Sequence, residues 1–287
     1  MAKVAKNVLI TGAAKRLGRA IALDLAQHGW NIALHYLSSK DEAEETARDA
    51  RKSDVKVSLL KADLSREREM QALVPRAVKA VGPLDALINS ASIFEDDDWA
   101  NATRASWDRH LETNLRAPFV LSQAFAKQLP RGRDGAIVNL IDQRVLKPTP
   151  QFLSYSLSKA GLHWLNTTLA QALAPRIRVN AVAPGPTMIN ARQSTRDFNR
   201  QRKATVLGHG ADPQDVCEAV RYLLDARATT GEMIAVDGGQ NLIWQTPDVR
   251  VKEEAHGETS RPGTRHRRTP CLHPQSGIAC PHPHLRT

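Results

Sequence analysis

Asp142, Tyr155 and Lys159 are the residues of this chain whose types and spacing suit proton delivery. Tyr155 and Lys159 stand four apart, so on a helix they share one face. The apolar positions Phe152, Leu153, Leu157, Ala160, Leu162 and Leu165 allow such a helix from residue 151 onward. A free tyrosine titrates near pH ~10, and an ammonium beside it favours the phenolate, so Lys159 is expected to lower the phenol's pKa. Such a pair can relay a proton at cell pH. Asp142 precedes Tyr155 by thirteen residues, across a loop holding Pro148 and Pro150, where it can sit against the phenol. Tyr-x-x-x-Lys alone describes a solvated helix face equally well. A cofactor site upstream decides between the two.

The chain upstream supplies the pattern of one. Residues 6–10 read as a short buried strand, followed by Thr11-Gly12-Ala13-Ala14-Lys15-Arg16-Leu17-Gly18 and a helix to about residue 27. A strand, a glycine turn and a helix N-terminus let backbone N–H groups approach a pyrophosphate, with Gly12 and Gly18 giving room. The next strand, residues 31–34, ends at His35, Tyr36, Ser38, Ser39 and Lys40, with no acidic residue where a ribose 2′-hydroxyl would need one. Together with Arg16, that polar and basic end suits a 2′-phosphate, hence NADPH/NADP. Further strands are expected at residues 55–60, 85–88, 136–141, 177–182 and 232–236, with helices at 41–52, 66–81, 107–129 and 215–224.

Polar and small residues fall at the carboxyl ends of these strands, where ligands gather in a parallel sheet. Asp63 and Leu64 stand where an adenine amino group can be met, and the turn from Asn89 through Ala91 and Ser92 to Phe94 lets a nicotinamide ribose lie close. Pro184 and Gly185 form a rigid turn facing the nicotinamide amide. Asn114 stands in the middle of an expected helix, a costly place for an asparagine unless it bonds a backbone carbonyl or a water. Residues 188–210 carry Arg192, Arg196, Arg200 and Arg202 and read as a lid able to attract an anionic substrate.

Composition removes other classes. The net charge of +10 raises nucleic-acid binding, but the basic residues are scattered and aromatics are only 5%, so no stacking platform exists. No apolar run reaches the ~18 residues of a membrane span, and no signal-peptide pattern opens the chain, so a cytoplasmic protein is expected. The three cysteines have unrelated spacings and give no disulfide framework. Residues 250–287, rich in Pro, His and Arg, are expected to be disordered, and Cys271, His273, Cys280, His282 and His284 match no zinc pattern.

In order and spacing, Thr11-Gly12 with Gly18, Asp63, the turn 89–92, Asn114, Tyr155-x-x-x-Lys159, Pro184-Gly185 and Asp237-Gly238-Gly239 resemble the short-chain dehydrogenase/reductase family, over residues 5–243. The resemblance implies an α/β fold: a Rossmann-type doubly wound parallel sheet of about seven strands, order 3-2-1-4-5-6-7, with helices on both faces, in one domain of residues 1–249. It also implies that Tyr155 relays the proton, Lys159 binds the nicotinamide ribose, Asn114 supports a water relay and the protein is a homo-oligomer, commonly a tetramer. Asp142 in place of the usual serine, Arg16 in place of a glycine, and Phe94 after the turn look like the pteridine reductase branch. There the pterin stacks between nicotinamide and the aromatic, the arginine touches both cofactor phosphate and pterin, and Ser92 lies nearby. A carbonyl reductase of another small molecule and a non-catalytic NADP(H)-binding protein are the alternatives.

Overall fold

The computed structural model describes residues 5–190 and 192–246. One compact unit ends at Trp244; of the second, only Gln245 and Thr246 are described. The tail from residue 250, with its cysteines and histidines, lies outside the described residues.

Seven parallel strands, β1 (Asn7–Ile10), β2 (Asn31–Tyr36), β3 (Val57–Lys61), β4 (Ala86–Asn89), β5 (Gly135–Leu140), β6 (Ile177–Pro184) and β7 (Met233–Val236), form one sheet in the order β3-β2-β1-β4-β5-β6-β7. Successive side chains of each strand enter opposite cores. Val8, Ile10, Ile32, Leu34 and Ile88 pack under α1 (Arg16–Gln27), α2 (Lys40–Arg51) and α8 (Pro213–Asp225). Leu9, Ala33 and Leu87 pack against α3 (Glu67–Val81), α5 (Ala117–Gln128) and α6 (Leu153–Leu173). Burial on both faces explains why these strands read as continuous apolar runs. Because β1 and β4 are neighbours joined through a crossover, a crevice opens at their carboxyl ends, and the polar turns of the sequence meet there.

Two elements differ from expectation. The helix expected over residues 107–129 is broken into α4 (Arg104–Leu111), a wide π-turn (Glu112–Arg116) and α5. Pro118 has no N–H for the carbonyl of Asn114, four residues back, and the ladder widens so that Ala117 N–H bonds Glu112 O. Asn114 therefore sits in a distorted turn, not mid-helix. The helix expected from residue 151 starts at Leu153, preceded by Phe152 in the left-handed region at φ 57°. For a bulky residue that conformation costs about 1–3 kcal/mol. The remaining helix, α7 (Thr195–Lys203), is capped by Ser194 and lies within the expected lid segment. No helix among the described residues is long and apolar enough to cross a membrane.

Candidate active site

A cavity of about 1210 Å³ opens over the carboxyl ends of the central strands. One end is the turn between β1 and α1. Gly12, at φ 65°, leaves no space for a Cβ, which would stand 2.8 Å from the backbone of Ala91; a Cβ on Gly18 would stand 2.2 Å from Gly12 O. Arg16 keeps a left-handed φ of 57° in what is otherwise a glycine position. Helix α1 begins here with no side-chain cap and no acidic residue in its first turn, so its orphan N–H groups and positive dipole end face the cavity. This set fits the pyrophosphate of a dinucleotide. Leu17, Tyr36, Ser38, Ser39, Asp63 and Leu64 line the continuation of the cavity. Asp63 is partly engaged already, accepting from Ser65 N and Oγ at 3.0 and 2.7 Å.

Thr11, Asn89 and Lys40 support this end without lining it, and His35 borders it with both ring nitrogens turned to the backbone. Thr11 is buried; its Oγ accepts from Ser90 N and Ala91 N, both at 3.0 Å, and so joins β1 to the turn after β4. Asn89 points into the sheet and donates to Asn139 Oδ1 at 2.8 Å. Lys40 turns to Glu44 at 3.6 Å. His35 is corrected most. It was expected to help receive a 2′-phosphate, but its ring is 2% exposed, with Nδ1 accepting from Gly12 N and Nε2 donating to Ala62 O, both at 3.0 Å. Burial lowers its pKa to about 4, so it is a neutral prop of the glycine turn.

That role has a stability consequence. Between pH 6.5 and about 4 the unfolded imidazole takes a proton that the folded one refuses, so His35's contribution is full above 6.5 and is lost as pH falls toward 4. The difference amounts to roughly 3 kcal/mol. Urea unfolding at pH 7 and pH 4.5 is expected to show His35→Asn losing ~2–3 kcal/mol less than wild type over that interval; an equal loss in both proteins would assign the acid sensitivity elsewhere.

The other end of the cavity holds the proton-transfer groups. Asp142 follows β5 and caps the short 3-10 turn Gln143–Val145: Oδ1 accepts from Arg144 N, and Oδ2 accepts from Tyr155 OH, each at 2.8 Å. Tyr155 stands on α6, and one turn on, Lys159 Nζ donates to Leu140 O at 2.8 Å and lies 5.8 Å from the Tyr155 ring centroid. In this structure, the direction of the Tyr155 pKa is set by groups other than Lys159. Burial first, then the Asp142 carboxylate, push Tyr155 well above 10, and burial pulls Lys159 down to about 8. Tyr155 is thus held as a protonated donor bonded to a carboxylate. Asn114 is wholly buried: Oδ1 accepts from Ile93 N, and Nδ2 donates to Ile93 O and Ser158 Oγ, at 2.8, 2.9 and 3.0 Å.

Over Tyr155 lies an aromatic roof. Phe94 meets the Tyr155 ring edge-on at 4.6 Å and stacks on Phe152 at 4.5 Å and 24°. Arg144 and Arg192 lie over these rings, Arg192 4.8 Å from the Phe94 centroid and donating to Phe94 O at 2.9 Å. Ser92, Pro184 and Gly185 complete the lining. Arg16 donates to Met188 O and Ile189 O at 3.2 and 2.7 Å, tying the start of the lid segment to the glycine turn. Of the four lid arginines, Arg192 alone reaches the cavity; Arg200 pairs with Asp197, Arg202 with Asp212, and Arg196 is exposed. Phe152 and Arg144 also line the site, though the sequence pattern does not single them out: Phe152 reads as an apolar helix position. Among the described residues no cluster of His, Cys, Asp or Glu is placed to hold a metal ion.

Comparisons with known proteins agree with this geometry. The enoyl-(acyl carrier protein) reductase family model matches residues 12–241. A 3-oxoacyl-[acyl-carrier-protein] reductase, FabG of Staphylococcus aureus, is 33% identical over 245 residues, 84% of this chain and 100% of that protein. Among solved structures, FolM alternative dihydrofolate reductase 1 from Brucella suis with NADP is 45% identical, with a TM-score of 0.82 over 85% of this chain and 98% of that one. Its counterpart from Brucella canis, also with NADP, is 44% identical, TM-score 0.80, over 85% and 97%. The glycine turn, the buried Tyr155 and Lys159 and these likenesses place the chain in the short-chain dehydrogenase/reductase family of oxidoreductases.

Proposed function

We propose that this protein is an NADPH-dependent reductase of a dihydropterin, such as dihydromonapterin, dihydrobiopterin or dihydrofolate, yielding the tetrahydro form. The observation that carries the reading is the 2.8 Å bond from Tyr155 OH to Asp142 Oδ2 beneath the ring of Phe94. A ketone reductase needs a neutral hydroxyl beside the developing oxyanion, and a carboxylate at position 142 opposes that charge. Reduction of a C=N bond instead places the new electron pair on a ring nitrogen that must take a proton, which a phenol backed by a carboxyl group can deliver.

When bound, NADPH supplies the hydride to the ring carbon. The Gly12–Gly18 turn and the α1 N-terminus would hold its pyrophosphate, and Arg16, Ser38 and Ser39 would meet the 2′-phosphate. Phe94 covers the outer face of a flat, electron-poor heterocycle. Tyr155 gives its proton to the ring nitrogen, and a proton taken up from solvent, shared between the Asp142 carboxylate and the phenolate, restores the phenol. Lys159 would orient the nicotinamide ribose, and the Asn114 carbonyl, which Pro118 cannot engage, would accept from a relay water. NADPH oxidation with 7,8-dihydropterins, set against ketones and a 3-oxoacyl thioester, tests the reading: turnover of the carbonyl compounds with none of the pterins would reject it. The thioester belongs in the panel because FabG is a full-length relative.

Arg192, beside the roof and without an acidic partner among the described residues, favours a substrate with an anionic tail. Arg192→Ala is expected to raise KM for dihydrofolate about tenfold more than KM for uncharged dihydrobiopterin; an equal change for both would remove that role. Exposed Leu157 and Trp164 on α6 and Phe119 on α5 fit a homotetramer packed through these helices, which the particle mass in solution tests.

A further inference from the structure

Helix α6 begins without a cap of its own. Phe152 at the N-cap position offers no acceptor, and the orphan N–H groups of Leu153 and Ser154 are taken by Asp97, far away in sequence. Asp97 O accepts from Leu153 N at 3.0 Å and Oδ1 from Ser154 N at 2.9 Å. The remaining bonds fix the protons of His110 and Ser154. Glu95 N–H donates to His110 Nε2 at 3.1 Å, so the neutral imidazole carries its hydrogen on Nδ1, which donates to Ser154 Oγ at 2.7 Å. Ser154 Oγ then donates to Asp97 Oδ2, which also accepts from Ser106 Oγ at 3.1 Å. All three of Asp97, His110 and Ser154 are buried. Protonation follows the same order: burial alone would raise Asp97, but its bonds from Ser154 and Ser106 outweigh that and hold it low, while burial keeps His110 low.

The cluster brackets Phe94. On one side Asn114 grips both backbone groups of Ile93 and reaches Ser158 of α6; on the other, His110 grips Glu95 N–H and reaches Ser154 of α6. Phe94 lies between the two gripped residues, and Tyr155 follows Ser154 directly, with the His110 ring 6.1 Å from its own. From this we infer that Asp97, Ser154 and His110 are positioning residues: a buried hydrogen-bond chain that caps the helix carrying Tyr155 and sets the distance between the phenol and the Phe94 roof. They touch neither substrate nor the glycine turn, so their effect is confined to how the substrate ring is held.

The substrate half of the test rests on the pterin reading; the exchange half does not. In the ligand-free protein, Ser154→Ala and His110→Leu are expected to speed amide hydrogen exchange of residues 92–98 about tenfold while leaving residues 160–173 unchanged. His110→Asn, whose amide nitrogen can take the place of Nδ1 but leaves Glu95 N–H without the Nε2 acceptor, is expected to speed exchange at residues 92–98 while leaving residues 160–173 unchanged. With a 7,8-dihydropterin, Ser154→Ala is expected to raise KM about tenfold with kcat and NADPH Kd little changed, and to add nothing further in a Phe94→Ala background. Full additivity with Phe94→Ala, or a parallel loss of NADPH affinity and of protection throughout α6, would overturn the inference and leave a structural cluster only. If no pterin is turned over while the exchange result holds, the substrate assignment fails and the positioning role stands.

Discussion

Asp142→Ser is expected to lower kcat for dihydropterin reduction by about a hundredfold to ten-thousandfold, the range of a lost general acid–base partner, with Kd for NADPH within about threefold of wild type. The asymmetry follows from where Asp142 bonds. Its two oxygens serve Tyr155 OH and Arg144 N, and neither touches the glycine turn. Serine is as good an N-cap as aspartate, so the 3-10 turn that positions Arg144 survives the change. What disappears is the carboxylate beside the phenol, one of the two causes that hold Tyr155 far above 10. The phenol of the variant is then more acidic and faces a neutral hydroxyl, the arrangement suited to a ketone. Any carbonyl turnover is therefore expected to rise in the same variant. Loss of NADPH binding instead would make Asp142 a structural residue.

Gly18→Ala carries the second large effect, on the cofactor. The new Cβ would stand 2.2 Å from Gly12 O and 2.8 Å from Gly12 C, main-chain atoms with no side-chain freedom to move aside. The turn must open, and Gly12 is itself pressed against Ala91. Overpacking of this kind costs about 1–3 kcal/mol. Because the atoms that shift are the ones facing the pyrophosphate, NADPH Kd is expected to weaken by roughly ten- to a hundredfold, read by quenching of tryptophan fluorescence on titration. An unchanged Kd would move the dinucleotide away from this turn.

The frame of the molecule was readable from the chain because each part of it is local. Strands buried on both faces are short apolar runs, and the glycine turn, Asp142 and the Tyr155–Lys159 pair are set by spacing along single elements. Parts created by contacts between distant segments were not readable. The chain linking Asp97, His110 and Ser154 spans 57 residues with no motif, and Asp97 hides in an acidic run. Phe152 fits a helix pattern, so its left-handed backbone and its stack on Phe94 leave no trace in periodicity. His35 sits at the right place for a phosphate contact but is drawn inward by Gly12 and Ala62. The charge on the phenol has a similar origin: burial and Asp142 raise its pKa, while the Lys159 ammonium bonds the backbone carbonyl of Leu140. Pro118 was a visible signal for the break at Asn114, four residues before it.

The pterin assignment is tested most directly by giving the enzyme an equal mixture of a 7,8-dihydropterin and a 3-oxoacyl thioester with limiting NADPH deuterated at nicotinamide C4, and locating the label by mass spectrometry. Deuterium on the ring carbon of a tetrahydropterin is the expected result. Deuterium on the carbinol carbon of a 3-hydroxyacyl thioester, with the pterin unlabelled, would contradict it.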